Sequence, residues 1–185
     1  MAVFFNESSV DAQFLDEGVT VKPLITPERV GSDNVLTDQF YLEPGAEIIL
    51  GIGEDDIAWT HILEGSAIVI SEDINSPITV DNFLFLPPGK AARIQSVKGA
   101  VVFRALIPDA ARFEPNWDEM IRNIRCVDWT NEPVLNSEFD ARKRIYMITP
   151  QLSGTKAVKG EMIIYPPGTE ASNHHHEGAE HFMVV

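Results

Sequence analysis

The sequence predicts a mainly β protein, an antiparallel sandwich or barrel, and two observations support this prediction. Its apolar runs are short and rich in β-branched and aromatic residues, which favour strands. These runs are separated by turns that contain proline or glycine, at residues 44–45, 64–65, 75–77 and 88–89. Many short strands between regularly spaced turns are typical of antiparallel sandwiches and barrels.

The composition limits the classes of partner and location. With 185 residues, 44% of them hydrophobic, the chain can bury a sizeable core in one domain or slightly more. The formal net charge of −14 argues against nucleic acid and against an anionic membrane surface as partners. No apolar stretch approaches the roughly 20 residues that span a bilayer, and the first residues lack the basic region of a secretory signal. We therefore expect a cytoplasmic protein, in which the single cysteine, Cys126, is a buried small residue.

The predicted elements follow the chain in order. Apolar runs predict strands at residues 48–50, 67–70, 83–86 and 100–103. Trp117, Met120, Ile121 and Ile124 fall at i, i+3, i+4 and i+7, which predicts a helix around residues 116–124. This helix lies in a connecting segment with few strand signals, and strands resume at residues 144–149 and 161–165.

The sequence also contains an internal echo. Residues 43–47 (Glu-Pro-Gly-Ala-Glu) resemble residues 166–170 (Pro-Pro-Gly-Thr-Glu) at an offset of 123 residues. We therefore expect two related units, of which the first has the turn but lacks the histidines of the second. The same offset sets four residues opposite His174, His175, His176 and Glu180, and these are Gly51, Ile52, Gly53 and Ile57.

Four of the five histidines lie within eight residues near the end of the sequence. Because side chains alternate along a strand, His174 and His176 point the same way, whereas His175 and His181 point away from them. Glu180 follows His176 by an even step, after a turn at residues 177–179. Two imidazoles and a carboxylate are a ligand set for non-haem iron, manganese, nickel or zinc. A solvated loop with incidental histidines is the alternative.

The spacing of these residues resembles the first motif of the cupin superfamily. That motif is Gly, five residues, His, one residue, His, three or four residues, Glu, six residues, Gly. Gly168, His174, His176 and Glu180 match it, while the last Gly would fall beyond Val185. The resemblance implies that His174, His176 and Glu180 are metal ligands inside a β-barrel. It also implies a fourth ligand, a histidine of a second motif, which would follow Val185.

The first half resembles a cupin that has lost its ligands. Residues 58–65 resemble the end of the first motif, with Ala58 in place of the Glu. Residues 81–96 resemble the second motif. This segment keeps the proline and glycine of the motif, as Pro87 and Gly89, but has Ala92 in place of the metal-binding His. The nearby residues Glu54, Asp55 and Asp56 could offer carboxylates, but a solvated loop is the simpler interpretation, and we expect the remaining histidine, His61, to be hydrogen-bonded or exposed.

The resemblance implies a cupin-type antiparallel β-barrel (jelly roll), with one complete barrel and the start of a second. We expect a barrel without metal ligands at residues 1–107, a connector with a short helix at residues 108–143, and the first part of a metal-binding barrel at residues 144–185. The second barrel would be cut off at Val185 or completed elsewhere. We expect its last strand, residues 180–185, to be paired, because an exposed apolar strand edge is prone to aggregation.

The resemblance also implies a function. We expect a metal-dependent bicupin enzyme that acts on a small organic substrate, with dioxygenase-type chemistry, and that forms a homodimer. Hydrolysis, as in aminohydrolases of the ureidoglycine type, is one alternative. The other is a non-catalytic cupin that binds a small ligand or a sugar in the apolar interior of the first barrel, using Trp59, Phe83 and Phe85, although these aromatics also suit a core.

Overall fold

The structure is a computed structural model, and it describes residues 3–119, 122–138 and 140–170. Among these residues, twelve strands form two antiparallel sheets. The larger sheet contains β1 (Gln13–Asp16), β2 (Val19–Ile25), β3 (Leu36–Leu42), β4 (Glu47–Gly51), β5 (Ile57–Ile70), β6 (Asn75–Thr79), β7 (Asn82–Leu86), β8 (Ala91–Ile107) and β9 (Arg125–Asp128). The smaller contains β10 (Leu135–Asn136), β11 (Lys143–Ile148) and β12 (Gly160–Ile164).

The long strands β5 and β8 fold the larger sheet into two layers. The first part of β5 pairs with β7, and its second part pairs with β6. Likewise, β8 pairs with β4 near its start and with β3 near its end. The β5–β8 register shifts at residues 62–67, where the strands pass from one layer to the other. Gly65 lies at this point with φ +78°, and a Cβ there would approach the Gly99 carbonyl oxygen to 2.1 Å. The predicted antiparallel jelly-roll barrel is confirmed.

The main hydrophobic core fills the space between the two layers. Alternate residues of each strand point into it, as the period of a strand requires. From β4, β5 and β8 the core receives Leu50, Ala58, Ile62, Ala92 and Ile94, each at most 2% exposed. The interior of this first barrel is therefore closely packed with aliphatic side chains.

A second cluster covers the outer face of the β5–β7 layer. Phe83 and Phe85 are buried there, with Trp59 packed against them, and they contact Met147 and Ile148 of β11. The hypothesis that Trp59, Phe83 and Phe85 line a ligand site inside the first barrel is therefore wrong. β7 is buried on both faces, so its sequence shows no alternation that could have assigned a face to these aromatics.

The connecting segment is more ordered than its sequence indicated. β9 adds to the larger sheet beside β7, and 3₁₀ helices lie at Ala110–Phe113, Trp117–Glu119 and Trp129–Asn131. The helix expected around residues 116–124 is shorter, since residues 122–124 are not helical. There the Ile124 N–H donates to the Asp73 carboxylate at 3.0 Å, and the Ile124 side chain enters the main core.

Short α-helices lie at α1 (Pro27–Val30) and α2 (Pro150–Ser153), and another 3₁₀ helix lies at Glu7–Ser9. The strands predicted in both halves of the chain are present, as parts of β4, β5, β7, β8, β11 and β12. None of the helices in the described ranges is long and apolar enough to cross a membrane. The domain boundaries at residues 107 and 143 remain a prediction.

Candidate metal centre

The predicted ligands His174, His176 and Glu180 lie outside the described residues, as do His175, His181 and the strand expected at residues 180–185. Within residues 3–119, 122–138 and 140–170, no group of three or more His, Cys, Asp or Glu side chains could hold a metal ion. The structure does describe the segment that leads directly to the histidines. It also describes the matching segment of the first unit together with the residues that follow it.

These two segments form a repeat that extends well beyond the five-residue echo. Residues 19–47 and 142–170 align without a gap at an offset of 123 residues. They share eight identical positions: Ile25/Ile148, Thr26/Thr149, Pro27/Pro150, Gly31/Gly154, Val35/Val158, Pro44/Pro167, Gly45/Gly168 and Glu47/Glu170.

Strand pairing follows the same offset. In the first repeat Val21 pairs with Phe40, and in the second Arg144 pairs with Ile163. The register shifts between Pro23 and Ile25 in β2 and between Tyr146 and Ile148 in β11, so the bulge recurs at the equivalent place. Bulges fix the strand register, and the two hairpins therefore present equivalent residues to equivalent faces.

The helical turn between the paired strands is also repeated. α1 and α2 each begin with proline, which suits the first position of a helix. Each ends at a glycine with positive φ, Gly31 at +71° and Gly154 at +74°, whose N–H donates to the carbonyl of that proline at 2.7 and 2.9 Å. Glycine suits this left-handed position because it lacks a Cβ.

The turn before the predicted metal ligands is the third shared feature. Gly45 and Gly168 have φ values of +82° and +78° and follow Pro44 and Pro167. In each turn the residue after the glycine donates its N–H to the carbonyl three residues earlier, at 3.0 Å to Glu43 and 3.2 Å to Pro166. Proline followed by a positive-φ glycine is the pattern of a type II turn. The second repeat therefore matches the first as far as Glu170.

The first repeat shows which positions after this turn face the barrel interior. Leu50 and Ile52 are buried in the main core, whereas Gly51 and Gly53 are exposed. Ala58 lies in the core, whereas its neighbour Ile57 belongs to the cluster on the outer face. Every interior position here is thus apolar, and the first barrel offers a metal no ligand at these positions.

The polar residues nearest these positions either make hydrogen bonds to other residues of the protein or are exposed. His61 Nε2 lies 2.8 Å from the Val80 carbonyl oxygen, so this histidine is hydrogen-bonded as expected. Asp56 accepts a hydrogen bond from the Asp109 N–H at 2.8 Å, while Glu54 and Asp55 are exposed. Cys126 is half-buried rather than fully buried, and burial raises the pKa of its thiol, with a smaller contribution from Asp128.

A buried carboxylate from the connector holds the second repeat. Glu114, 5% exposed, accepts hydrogen bonds from the Lys156 N–H, from Thr155 Oγ1 at 3.0 Å and from the Asn116 N–H at 3.2 Å. These donors, the Lys156 N–H first, hold the pKa of Glu114 below its usual 4.5. The equivalent loop of the first repeat is held by Arg112, which donates to Asn34 at 2.9 Å.

Charged residues on β11 and beside β12 form a cluster that sequence reasoning missed. Arg144 Nη1 lies 3.5 Å from Glu161 Oε2, and Lys159 Nζ lies 3.9 Å from the same oxygen. Lys159 Nζ also lies 4.8 Å from the centre of the Tyr146 ring. Tyr146 and Lys159 line a cleft of about 500 Å³. Pairing Arg144 and Glu161 required the strand register, which the sequence alone did not supply.

Comparison with known proteins identifies the fold. No protein-family model and no curated protein sequence matches the chain. Among solved structures, a variant of the oxalate decarboxylase of Bacillus subtilis is similar with a TM-score of 0.59 and 16% identity, over 80% of this chain and 54% of that chain. This chain thus spans about half the length of that relative.

Two shorter proteins are similar as well. KdgF from a Halomonas species matches with a TM-score of 0.51 and 14% identity, over 58% of this chain and 94% of its own. The polyketide cyclase RemF from Streptomyces resistomycificus matches with a TM-score of 0.51 and 17% identity, over 58% of this chain and 80% of its own. All three are cupins, and the chain has the cupin-type fold.

Proposed function

We propose that this chain is part of a metal-dependent cupin enzyme that acts on a small organic substrate, with its metal in the second of two barrels. His174, His176 and Glu180 would hold a divalent transition ion, iron, manganese, nickel or zinc. The donor set suits such an ion, because neutral imidazoles and a carboxylate bind it while leaving positions open. When bound, the ion would polarise an oxygen ligand of the substrate or activate dioxygen.

The repeat at an offset of 123 residues is the observation that carries this proposal. Strands, bulge, helical turn and Pro-Gly turn all recur up to Glu170, four residues before His174. In the first repeat the turn is followed by β4, which pairs with β8. Leu50 of β4 is paired with Ala92, and its side chain lies in the core. A second repeat that continues the same way would carry its histidines into a barrel interior.

The register of that continuation decides which histidines face inward. At an offset of 123, His174 and His176 correspond to exposed glycines, whereas His175 corresponds to the buried Ile52. We therefore propose that the second repeat is one residue shorter between Glu170 and His174. An offset of 122 aligns His174 with Ile52 and Glu180 with Ala58, both core positions. His176 then aligns with Glu54, which shares the strand parity of Ile52 but is exposed in the first repeat, so the shift accounts directly for His174 and Glu180 alone.

Metal analysis of the untagged full-length protein tests the site and the register together. We expect about one equivalent of a transition metal after dialysis. His174→Ala, His176→Ala and Glu180→Gln should each weaken the measured metal affinity at least about 100-fold, since even outer-shell changes cost 10–100-fold.

The same cluster supplies matched controls. His175→Ala and His181→Ala remove equivalent imidazoles that should face away, and His61→Ala removes the histidine of the first unit. All three should keep wild-type metal affinity. A loss with His175→Ala alone would overturn the one-residue shift, and metal below about a tenth of an equivalent would favour a non-catalytic binding protein.

Dioxygenase-type chemistry is the reaction we propose for this centre. An oxygen electrode tests this reaction. It measures dioxygen uptake by the metal-loaded protein in the presence of a panel of small organic acids, diols and amides. Ammonia release without dioxygen uptake would replace it with aminohydrolase chemistry. A homodimer and a cytoplasmic location are further proposals, and sedimentation of the purified protein tests the first.

A further inference from the structure

We propose that residues 3–6 form an edge strand of the second barrel, so that the two barrels of this protein exchange strands with each other. β9, which precedes the second repeat, extends the sheet of the first barrel. Residues 3–6 precede the first repeat and would extend the sheet of the second barrel in the same way. This inference rests on the second barrel of the proposed function, whereas docking of residues 3–6 can be measured without the metal.

The segment before the first repeat has the composition of a strand. Residues 3–5 are Val-Phe-Phe, and residues 3–6 belong to no strand among the described residues. Phe4 is 90% exposed, and Val3 and Phe5 are 42% and 37% exposed. Valine and phenylalanine favour strands, and neighbouring exposed apolar side chains mark interaction sites. We therefore expect this segment to join a sheet that the described residues do not include.

The 3₁₀ helix that follows this segment has a counterpart before the second hairpin. Asn6 Oδ1 accepts hydrogen bonds from the Ser8 N–H at 2.9 Å and from Ser8 Oγ at 2.8 Å. Asp128 Oδ1 accepts them from the Thr130 N–H at 3.0 Å and from Thr130 Oγ1 at 2.6 Å. Each of these caps is followed by a 3₁₀ helix of three residues. The two caps are therefore equivalent, at an offset of 122 residues.

The strands after these 3₁₀ helices extend the correspondence. Gln13 of β1 pairs with Val21, and Leu135 of β10 pairs with Arg144. The offset is thus 122 residues between β1 and β10 and 123 residues between β2 and β11, because the second unit has one more residue between the paired positions. Residues 3–6, which directly precede the first 3₁₀ helix, therefore correspond to β9.

β9 shows which environment residues 3–6 should have. The four residues of β9 are half-buried and all pair with β7. Cys126 packs against the main core, whereas Val127 packs against the cluster on the outer face. Phe4 is equivalent to Cys126, and Phe5 is equivalent to Val127. In the second barrel Phe4 would therefore face the interior that holds the proposed metal ligands, and Phe5 would lie between the two barrels.

The contacts at one end of the segment agree with these directions. The Arg29 guanidinium lies 4.9 Å from the centre of the Phe5 ring. Glu7 accepts hydrogen bonds from Lys22 Nζ at 2.5 Å and from the Tyr41 hydroxyl, both on the outer face of β2 and β3. Phe5 and the 3₁₀ helix are therefore fixed to the first unit, while Phe4 remains almost fully exposed.

The second barrel of the same chain is the partner that the repeat favours. Met147 and Ile148 of β11 pack on the outer face of the first barrel, and Val127 of β9 packs in the same cluster. The two units of one chain are thus in contact where β9 joins the first barrel. Two equivalent units that each donate a strand to the other form a closed two-fold arrangement. The reciprocal strand, residues 3–6, should therefore join the strand equivalent to β7 in the second barrel.

Hydrogen exchange of the full-length protein, followed residue by residue after chelation of metal, tests this docking. We expect alternate amides of residues 3–6 to exchange at least about 100-fold more slowly than in an unfolded chain, because every second N–H of an edge strand bonds to its neighbour. Exchange at the unfolded rate throughout this segment would overturn the proposal.

Dilution distinguishes the two possible sources of the partner strand. Docking within one chain is independent of protein concentration, so the protection should not change on about 100-fold dilution. A loss of protection on dilution would assign the partner strand to a second copy and would overturn docking within the chain.

A charge at position 4 tests the direction of the side chain. Phe4→Asp should bring the exchange of residues 3–6 to within about threefold of the unfolded rate, since docking would bury a carboxylate without a partner. Phe14→Asp is the matched control, because Phe14 is also exposed, at 79%, but is equivalent to the polar Asn136. It should leave the protection unchanged. Undiminished protection in Phe4→Asp would contradict the proposal.

Thiol labelling gives a second measurement at the same positions. In Phe4→Cys and Phe14→Cys, maleimide labelling of each site is read by peptide mass spectrometry. The thiol at position 4 should react at least about tenfold more slowly than the thiol at position 14, because burial protects a thiol. Equal rates would contradict burial of position 4.

The metal content of the same protein separates this proposal from the proposed function. If residues 3–6 are protected but the wild type binds no metal, the metal function fails while the strand exchange stands. If the wild type binds about one equivalent of metal but residues 3–6 exchange at the unfolded rate, the strand exchange fails alone.

Discussion

The two repeats have the same backbone conformation but different side chains at equivalent strand positions. Strand register, bulge, helical turn and Pro-Gly turn recur at a constant offset of 123 residues, although only eight aligned positions are identical. In the first repeat Val21 packs against the apolar core, whereas the equivalent position of the second repeat holds Arg144, which pairs with Glu161. The comparison teaches that a few turn residues preserve the backbone conformation, while the side chains at equivalent strand positions can change from apolar to charged.

The largest effect should come from restoring a ligand-like residue to the first barrel. Ala92→His would place an imidazole at a position 1% exposed, inside an aliphatic core without polar partners. We expect a loss of about 3 kcal/mol or more in unfolding free energy from overpacking and an unsatisfied polar group. Urea denaturation of the wild type and of Ala92→His measures this loss in unfolding free energy.

Ala91→His is the matched control, because Ala91 is the exposed neighbour of Ala92 on β8. It should change stability by no more than about 0.5 kcal/mol. If Ala92→His were as well tolerated as Ala91→His, the first interior would have room for a polar group, and the contrast between the repeats would fail.

The next effect concerns how the connector holds each repeat. Glu114→Gln removes a buried charge that accepts three hydrogen bonds, two of them from residues 155 and 156 of the second repeat. We expect a loss of about 1.5–3 kcal/mol at neutral pH, the range for hydrogen bonds to charged groups. Arg112→Ala, which releases the more exposed contact to the first repeat, should cost less than about 1 kcal/mol.

The Glu114 contribution should also depend on pH in a defined direction. Because the folded-state pKa of Glu114 is lowered, its stabilisation is present above the usual value of 4.5 and is lost as pH falls through the lower folded pKa. The free energy of unfolding of the wild type should therefore converge with that of Glu114→Gln below pH 4.5. A constant difference between the two proteins from neutral pH to acid would contradict this role.

The sequence predicted the fold class because its turns are local signals. Pro44-Gly45 and Pro167-Gly168 specify their conformation through proline φ and glycine freedom, so the echo was visible in five residues. The rest of the repeat was hidden, because Val21 and Arg144 share a position but not a polarity. The faces of Trp59 and Phe83 could not be predicted, since both faces of their layer are covered. β9 was missed because its four residues are all half-buried and show no alternation.

We expect the smallest effect from substitutions of the turn glycines that the two repeats share. Gly45→Ala and Gly168→Ala each place a Cβ at a residue with φ near +80°, and neither Cβ would meet an atom within 4 Å. The cost is therefore backbone strain alone, about 1–2 kcal/mol in each repeat. Thermal or urea unfolding should show equal losses for the two variants. If Gly168→Ala cost nothing while Gly45→Ala cost this amount, the turn before the histidines would not share the conformation of its counterpart. The register argument for His174 and His176 would then lose its starting point.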